Sequence, residues 1–140
     1  MIKIKLVKVL ISLAIITGIS FLLYSYYFHT SVKIDSEYDI EGIYIVDEDE
    51  KKIRKNSTRF SHFAMYGQYS YIFVVRDHKV LVSYLKTNAY EHDNINIEIK
   101  SVESQSDSVI QIDVSRNGLL ENSEMFNLNE VDGIVIELGP

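Results

Sequence analysis

The sequence contains no cysteine and no tryptophan, and it has a single proline among its 140 residues. Without cysteine there is no disulfide framework, no thiolate nucleophile, no cysteine-ligated zinc or iron–sulfur site, and no lipid-modified N-terminal cysteine. The fold must therefore be held together by an apolar core. About 110 residues follow the N-terminal apolar segment, which is enough for one domain with such a core.

Basic residues are outnumbered, and their distribution is uneven. Lys3, Lys5 and Lys8 precede an uncharged stretch, and no acidic residue occurs before Asp35. The rest of the chain holds all 20 acidic residues against 11 basic ones, a net charge of −9. Because such a surface repels phosphate groups, we expect no nucleic-acid partner. The bias toward isoleucine, lysine and asparagine is typical of AT-rich genomes and indicates a bacterial source.

Residues Val9–Phe28 form a run of 20 residues without a charged side chain. As a helix this run spans about 30 Å, the thickness of the hydrocarbon core of a bilayer. Eleven of its residues are valine, isoleucine, leucine or phenylalanine, which together favour insertion by about 3 to 7 kcal/mol. Tyr24, Tyr26 and Tyr27 at its C-terminal end suit a membrane–water interface. We therefore predict that residues 1–29 form a cytoplasmic tip and a transmembrane signal anchor.

The lysines also determine the expected orientation of the protein. By the positive-inside rule the N-terminus stays in the cytoplasm, and the rest of this single-pass membrane protein is extracytoplasmic. The alternative is a cleaved secretory signal, which has a shorter apolar region and a cleavage site between small residues. Bulky rings occupy most positions from Tyr24 to Ser31, and this favours retention of the anchor.

From Ser31 onward the apolar residues alternate with a period of two, which is typical of β-strands. Ile95–Ile99 and Ile110–Val114 form the clearest pair of strands, joined by the polar residues 103–108. We expect antiparallel hairpins with one apolar and one wet face. The other predicted strands and turns are Ile40–Val46, residues 51–55, Tyr69–Val75 and Lys79–Lys86 joined by Arg76–His78, a turn at Asn117–Gly118, and Ile134–Leu138.

About eight short strands at regular spacing predict a mainly β fold. We expect a small antiparallel β-sandwich or partly open barrel over residues 39–140. Residues 30–38 are expected to form a short linker that keeps this domain near the membrane. The segment Ser57–Tyr66 fits a helix with Phe60 and Phe63 on one face, and it fits a strand almost equally well.

Few residues in the sequence indicate chemistry. Asp47–Glu50 offers carboxylates to calcium, but consecutive residues on an extended chain point in opposite directions, so a solvated hairpin tip is favoured. His62, His78 and His92 show no metal-ligand spacing, and no G-x-S-x-G motif occurs. Folding could still bring His92, Asp93 and a serine together, because triads are defined by geometry. We predict no metal, no cofactor and no specific catalytic residue.

Tyrosines are concentrated in the middle of the chain, at Tyr66, Tyr69, Tyr71 and Tyr84. On a strand Tyr69 and Tyr71 share one face, and tyrosine is favoured at protein interfaces. These four residues are therefore a candidate binding surface. Ordinary β packing is the alternative interpretation and the favoured one.

The sequence supports hypotheses from two classes of function. The leading hypothesis is a membrane-anchored binding or accessory protein of the cell envelope, for example an immunity-type protein or a membrane-complex subunit, with a protein partner. The alternative is a membrane-tethered hydrolase that acts on envelope material. The alternative predicts a concave pocket that contains a histidine or paired carboxylates with a perturbed pKa. A structural subunit that packs through its helix is a third class.

Overall fold

The computed structural model describes residues 2–103 and 106–140, and within them one helix precedes ten strands. Helix α1 covers Ile2–Tyr27. The strands are β1 (His29–Ser36), β2 (Ile40–Val46), β3 (Lys52–Lys55), β4 (Arg59–Phe63), β5 (Gly67–Val75), β6 (His78–Lys86), β7 (Asp93–Ser101), β8 (Val109–Arg116), β9 (Leu119–Asn127) and β10 (Gly133–Glu137). The chain is therefore mainly β with an N-terminal apolar helix.

Helix α1 contains nearly all of the predicted anchor Val9–Phe28, although it begins already at Ile2 and ends at Tyr27. Its 26 residues extend about 39 Å at the usual rise of an α-helix. The helix is long and apolar enough to cross a membrane. None of the segment Lys3–Tyr27 is buried against the rest of the described chain, so α1 is not a core helix.

The predicted hairpin around Arg76–His78 is confirmed as β5 and β6. Val75 lies opposite His78, so the turn consists of Arg76 and Asp77 alone. Both residues have positive φ angles, 47° and 67°. This turn geometry matches the right-handed twist of paired strands and is the one usually formed by Asn-Gly.

The second predicted hairpin is β7 and β8, in which Ile97 lies opposite Val114. Its polar connection lies between Ser101 and Val109, and residues 104 and 105 of this connection are outside the described residues. The predicted Asn117–Gly118 turn then joins β8 to β9, again with positive φ at both positions. Strand β9 itself has no clear alternation of polar and apolar residues, and the sequence does not indicate it.

Residues 30–38 are not a linker, contrary to the expectation from the sequence. Strand β1 occupies His29–Ser36 and lies between β4 and β7 inside a sheet. Its inward side chains Thr30, Val32 and Ile34 are buried, and the residues between them are half-buried. The polar residues that suggested a linker are therefore the outer half of an alternating strand. The β structure begins at His29, two residues after the helix ends.

The ambiguous segment Ser57–Tyr66 contains strand β4 and no helix. Strand β4 pairs antiparallel with β1, with Phe60 opposite Val32 and His62 opposite Thr30. The helical spacing of its aromatic residues is coincidental, because pairing with β1 places Phe60 and His62 on the same inward side.

The ten strands form two five-stranded sheets, neither of which is closed. Their strand orders are β4-β1-β7-β8-β9 and β10-β6-β5-β2-β3. Strand β1 runs parallel to β7 and β10 runs parallel to β6, so both sheets are mixed and the expectation of purely antiparallel sheets is wrong. Parallel partners need long connections, and local alternation carries no information on such distant pairing.

Both sheets contribute side chains to one apolar core. Isoleucines and valines dominate it because they suit the pleated, half-buried surface of a strand. On the first sheet β7 and β8 provide alternating isoleucines, such as Ile97 and Ile112, that are fully buried. On the second sheet Phe73, Val80 and Val82 are buried to the same degree. Among the described residues, the buried polar side chains Thr30, His62, Lys86 and Asp93 lie near the end where α1 joins the sheets.

Candidate functional site

The predicted tyrosine surface is not a surface. Tyr69, Tyr71 and Tyr84 are buried, and Tyr66 alone of the four is exposed, in the turn before β5. Tyr69 and Tyr71 do share one face of β5, as expected, but this face points into the core. The correction follows from the position of β5 inside its sheet, which determines the face of the strand that meets the other sheet.

A row of polar side chains lies across the first sheet at the helix end. His62, Thr30 and Asp93 occupy neighbouring strands in register, because Thr30 is paired with His62 on β4 and with Asp93 on β7. Each of them contacts a polar side chain of the second sheet. The three contacts are His62 with Tyr71 at 2.8 Å, Thr30 with Tyr84 at 2.6 Å, and Asp93 with Lys86 at 3.0 Å. We call these six residues the polar layer.

His62 is held in its neutral form within the polar layer. Its Nδ1 lies 3.0 Å from the carbonyl oxygen of Phe63, and a carbonyl can only accept, so Nδ1 carries the proton. Its Nε2 is then free to accept a hydrogen bond from the Tyr71 hydroxyl. Burial lowers the pKa of His62 to about 4. Burial likewise raises the pKa of Tyr71 well above its ordinary value, so the tyrosine remains a donor.

The ion pair of Lys86 and Asp93 is the charged part of the polar layer. The Lys86 side chain is completely buried, and its Nζ donates to the Asp93 carboxylate at 3.0 Å and to the Glu91 carbonyl at 2.6 Å. Asn117 donates to the other carboxylate oxygen of Asp93 at 3.0 Å. Lys86 falls on the same alternating positions of β6 as Val82 and Tyr84. The period of two could therefore have revealed that this lysine points inward.

The polar layer acts as a structural element, although His62 also lines a cavity of about 360 Å³ together with Asp47, Glu48 and Asp49. Each of its six side chains has a hydrogen-bonding partner in the other sheet. Buried polar groups that are fully paired restrict a core to one arrangement. The layer thus fixes how the two sheets are placed relative to each other at the helix end.

Ser31 and His92 form a hydroxyl–imidazole pair on the outside of the first sheet. The Ser31 Oγ lies 3.0 Å from His92 Nε2, and His92 Nδ1 lies 2.7 Å from the carbonyl oxygen of Tyr26. The carbonyl fixes the proton on Nδ1, so Nε2 accepts from the serine. This is the nucleophile–base arrangement used by hydrolases. Asp93, the carboxylate next to His92 in sequence, is paired with Lys86 instead.

The pair stands at one end of a shallow groove of about 620 Å³ that Ser31 helps to line. Ser61 and Asn94 flank Ser31 on the neighbouring strands, and Arg59 lines the groove farther along. Ser31 belongs to a regular strand and not to a strained turn of the kind that presents a nucleophile. The groove therefore offers a nucleophile and an amide donor, and His92 contacts the nucleophile from outside the groove lining, without the complete geometry of a triad.

The other two candidate features stand apart from this groove. His78 lies at the β5–β6 turn, at the opposite end of the sheets, where it donates to the Arg76 carbonyl at 2.7 Å. In the Asp47–Glu50 turn, Asp47 accepts hydrogen bonds from the backbone of Asp49 and Lys51. Glu48 accepts one from the backbone of Gln68. The described residues contain no group of carboxylates and histidines that could hold a metal ion.

Strand β9 is the last strand of its sheet, and it is exposed along most of its nine residues. The end strands β3, β4 and β10 have four or five residues each. Leu119, Leu120 and Met125 all have exposed side chains on β9. A long end strand with a free edge is able to pair with a strand of another chain.

The end of α1 is firmly attached to the sheets. The amide of Ala64 donates to the carbonyl of Phe28 at 2.7 Å, just beyond the helix. The ring of His92 stacks on Tyr26 with a centroid distance of 4.6 Å, and Tyr90 contacts Phe28 at 5.6 Å. These contacts, together with the direct continuation into β1, connect the end of the helix to the sheets.

Comparison with protein families, curated proteins and solved structures finds no match to this chain. Its function must therefore be argued from its own residues.

Proposed function

We propose that this protein is a single-pass membrane protein whose two sheets pack as an extracytoplasmic β-sandwich that binds a protein partner in the cell envelope. Helix α1 is the observation that carries this proposal. The helix is uncharged from Val9 to Tyr27 and unburied from Lys3 to Tyr27, and the residue after its end is hydrogen-bonded to the sheets. Such a surface is stable where it meets lipid, in which a helix satisfies its own backbone hydrogen bonds. Three lysines precede the apolar run and support an N-terminus in the cytoplasm.

The absence of cysteine provides a direct test of the orientation. Single cysteines in place of Lys3 and of the exposed Asn129 give one label site before the helix and one in the β region. We expect a membrane-impermeant maleimide to label Asn129→Cys on intact cells, and Lys3→Cys only after lysis. The reverse pattern would refute the orientation. A mature chain that lacks an N-terminal tag would show a cleaved signal instead of an anchor.

The sandwich is supported by the contacts between the sheets. Residues of both sheets share one core, and the polar layer joins them through three side-chain pairs. Side chains that interdigitate in this manner are typical of two face-to-face sheets. In this arrangement the outer faces and the free edges of the sheets are the surfaces left for binding.

The proposed contact surface is the free edge of β9. At about 3.4 Å per residue its nine residues offer about 30 Å of edge to an added strand. Glu124 lies opposite Ile112, on the core side of this edge, and an inward-pointing charge discourages non-specific pairing. Glu121 is already paired with Arg116 at 2.6 Å, whereas Glu124 accepts a hydrogen bond from the uncharged Asn122 at 2.6 Å. We therefore expect a partner strand that carries a basic residue opposite Glu124.

Site-specific photo-crosslinking in native membranes tests this surface. Met125 on β9 and Val135 on β10 are 63% and 62% exposed, and both lie on end strands of the sheets. A photoreactive residue at position 125 should give a discrete adduct, whereas the same residue at 135 should not. Glu124→Lys should abolish the adduct, and the control Glu130→Lys should preserve it. Equal adducts at both positions, or none at 125, would contradict a β9 interface.

A second candidate function is a membrane-tethered hydrolase, and the Ser31–His92 pair is the observation that favours it. The hydroxyl and imidazole are within hydrogen-bonding distance, and the groove beside them is open. A fluorophosphonate probe that reacts with activated serines should label the full-length protein if this function is correct. Labelling must disappear in Ser31→Ala and in His92→Gln, and it must persist in Ser61→Ala. An unlabelled wild-type protein would eliminate the candidate.

A further inference from the structure

Exposed apolar side chains of the β region gather at the end where α1 joins the sheets. Strand registers place this end at Thr30, which pairs with Asp93, and at Arg116, which pairs with Ile95 two residues farther along β7. The seven exposed large apolar residues at or beside this end are Phe63, Met65, Tyr66, Leu85, Tyr90, Leu119 and Leu120. We call them the proximal rim. They lie in or beside the β4–β5, β6–β7 and β8–β9 connections, so no single segment of sequence reveals the rim.

The opposite end of the sheets has a different surface. Its turns expose polar and acidic residues, among them Asp39, Asp77, Asp107 and Asn129. Single exposed apolar side chains are common on soluble proteins, but a cluster on one end usually marks an interaction surface. Apolar side chains are exposed at one end of the strands and polar side chains at the other. We therefore expect a binding partner at the helix end.

We propose that the proximal rim rests in the interfacial region of the same bilayer that α1 enters, so that the domain docks on the lipid surface. This inference rests on the proposed membrane anchoring. The bilayer is the expected partner because the rim adjoins the helix. Strand β1 begins two residues after α1 ends, and Tyr90 contacts Phe28. The composition agrees, because tyrosine, phenylalanine and leucine are the side chains that enter the headgroup and upper acyl region.

The charged residues near the proximal rim determine which lipid headgroups the rim can approach. The turn Asp47–Glu50 lies at the same end of the sheets, where Glu48 accepts a hydrogen bond from Gln68. Its four acidic residues are repelled by anionic headgroups. The exposed Lys51 and Lys52 follow this turn and offset half of its charge, which leaves residues 47–52 net negative. Lys86, the basic residue of the polar layer, is buried and paired with Asp93, so it contributes little attraction. The rim should therefore settle on zwitterionic lipid and be held away from strongly anionic lipid.

Since the chain has no tryptophan, a single introduced tryptophan reports its own depth in a bilayer. Leu120 and Met125 form a matched pair, because both are 63% exposed on β9. They also lie on the same side of the sheet, since their partners are Ser115 and Gln111. Leu120→Trp probes the rim, and Met125→Trp probes the same strand about 14 Å farther from the helix end, because their partners Ser115 and Gln111 are four residues apart on β8. Leu13→Trp reports the anchor itself.

The full-length variants are reconstituted into phosphatidylcholine vesicles that contain a lipid brominated in the upper acyl chain. Leu120→Trp should show blue-shifted emission and quenching by the brominated lipid, and Met125→Trp should behave like indole in water. Replacing part of the phosphatidylcholine by phosphatidylglycerol should weaken the quenching of Leu120→Trp, and added salt should restore it.

The outcomes separate the two proposals. If Leu13→Trp is quenched while Leu120→Trp matches Met125→Trp, the rim contact is wrong and the anchor stands. If Leu13→Trp itself shows the emission of indole in water, both the anchor and the rim contact are overturned. Stronger quenching of Leu120→Trp on phosphatidylglycerol would also overturn the rim contact, because the acidic turn predicts the opposite.

Discussion

Replacement of His62 by glutamine should remove most of the pH dependence of folding between pH 7.5 and 5. In the native protein the imidazole is neutral, donates to the Phe63 carbonyl and accepts from the Tyr71 hydroxyl. A glutamine amide has one donor group and one acceptor oxygen, so it can serve both partners without taking up a proton in this range. The change thus removes the titration and retains the two kinds of hydrogen bond.

The magnitude follows from the difference between folded and unfolded pKa values of His62. Burial lowers the folded pKa from 6.5 to about 4. In that interval the unfolded chain binds the proton and the folded chain does not, so stability is full above pH 6.5 and falls as the pH decreases toward 4. At pH 5 the loss is about 2 kcal/mol, at pH 4 it is about 3 kcal/mol, and it approaches about 3.4 kcal/mol only below pH 4.

Urea unfolding of the full-length protein in detergent micelles, followed by the circular dichroism of the strands, measures this loss. The free energy of unfolding is determined at several pH values from 7.5 to 5 for the wild type and for His62→Gln. The wild type should lose about 2 kcal/mol over this range, and the variant should change much less. At pH 7.5 the variant should be less stable by about 1 to 2 kcal/mol, because its hydrogen bonds are less well placed.

The lower limit of pH 5 keeps the carboxylates out of the measurement. Hydrogen bonds from Ser101 lower the pKa of Glu37, so the stability from Glu37 is lost only below its ordinary pKa of 4.5. His78→Gln is the control, because His78 lies in an exposed turn outside the polar layer, and this variant should keep the slope contributed by His62. If wild type and His62→Gln lose stability equally over this range, His62 does not titrate as a buried base, and the polar layer is wrongly described.

Two further substitutions test the polar layer and the hairpin turn. Lys86→Met should lower the free energy of unfolding by about 3 to 5 kcal/mol, because it leaves the buried Asp93 carboxylate without its cation. The double variant Lys86→Met/Asp93→Asn should recover much of this loss, and a double variant no more stable than the single one would show that the charge is not the cause. Asp77→Gly should raise the free energy of unfolding by about 0.5 to 1 kcal/mol, because glycine adopts the positive φ of this turn without strain. A lower urea midpoint for Asp77→Gly would contradict the turn geometry.

Prediction from the sequence succeeds where a feature depends on neighbours along the chain. Alternation of apolar residues locates β2, β5, β6, β7 and β8, because side chains of a strand point to opposite faces with a period of two. The Asn117–Gly118 turn is recognisable because these two residue types accept positive φ. The apolar helix needs only its own composition and length. In each case the physical cause is contained within a few successive residues.

Prediction fails where a feature depends on which strands become neighbours. The sequence of β1 resembles a polar linker. Its outward-facing residues can be polar because they are only half-buried, although the strand lies in the middle of a sheet. Tyr69, Tyr71 and Tyr84 are correctly predicted to lie on strands, but their faces can be assigned to the core only when the second sheet is in place. The pairing of Ser31 with His92 joins residues 61 positions apart in the sequence, which no spacing rule anticipates.

The sequence by itself therefore determined the apolar helix, the β character of the rest of the chain and most of the local hairpins, since these depend on residue type and short-range order. Only the tertiary structure decided the mixed sheets, the polar layer with its neutral histidine, the exposed edge of β9 and the apolar rim around the helix end. These features arise when distant segments are brought side by side. Burial, hydrogen bonding and exposure then depend on the neighbours in space, which a single sequence does not specify.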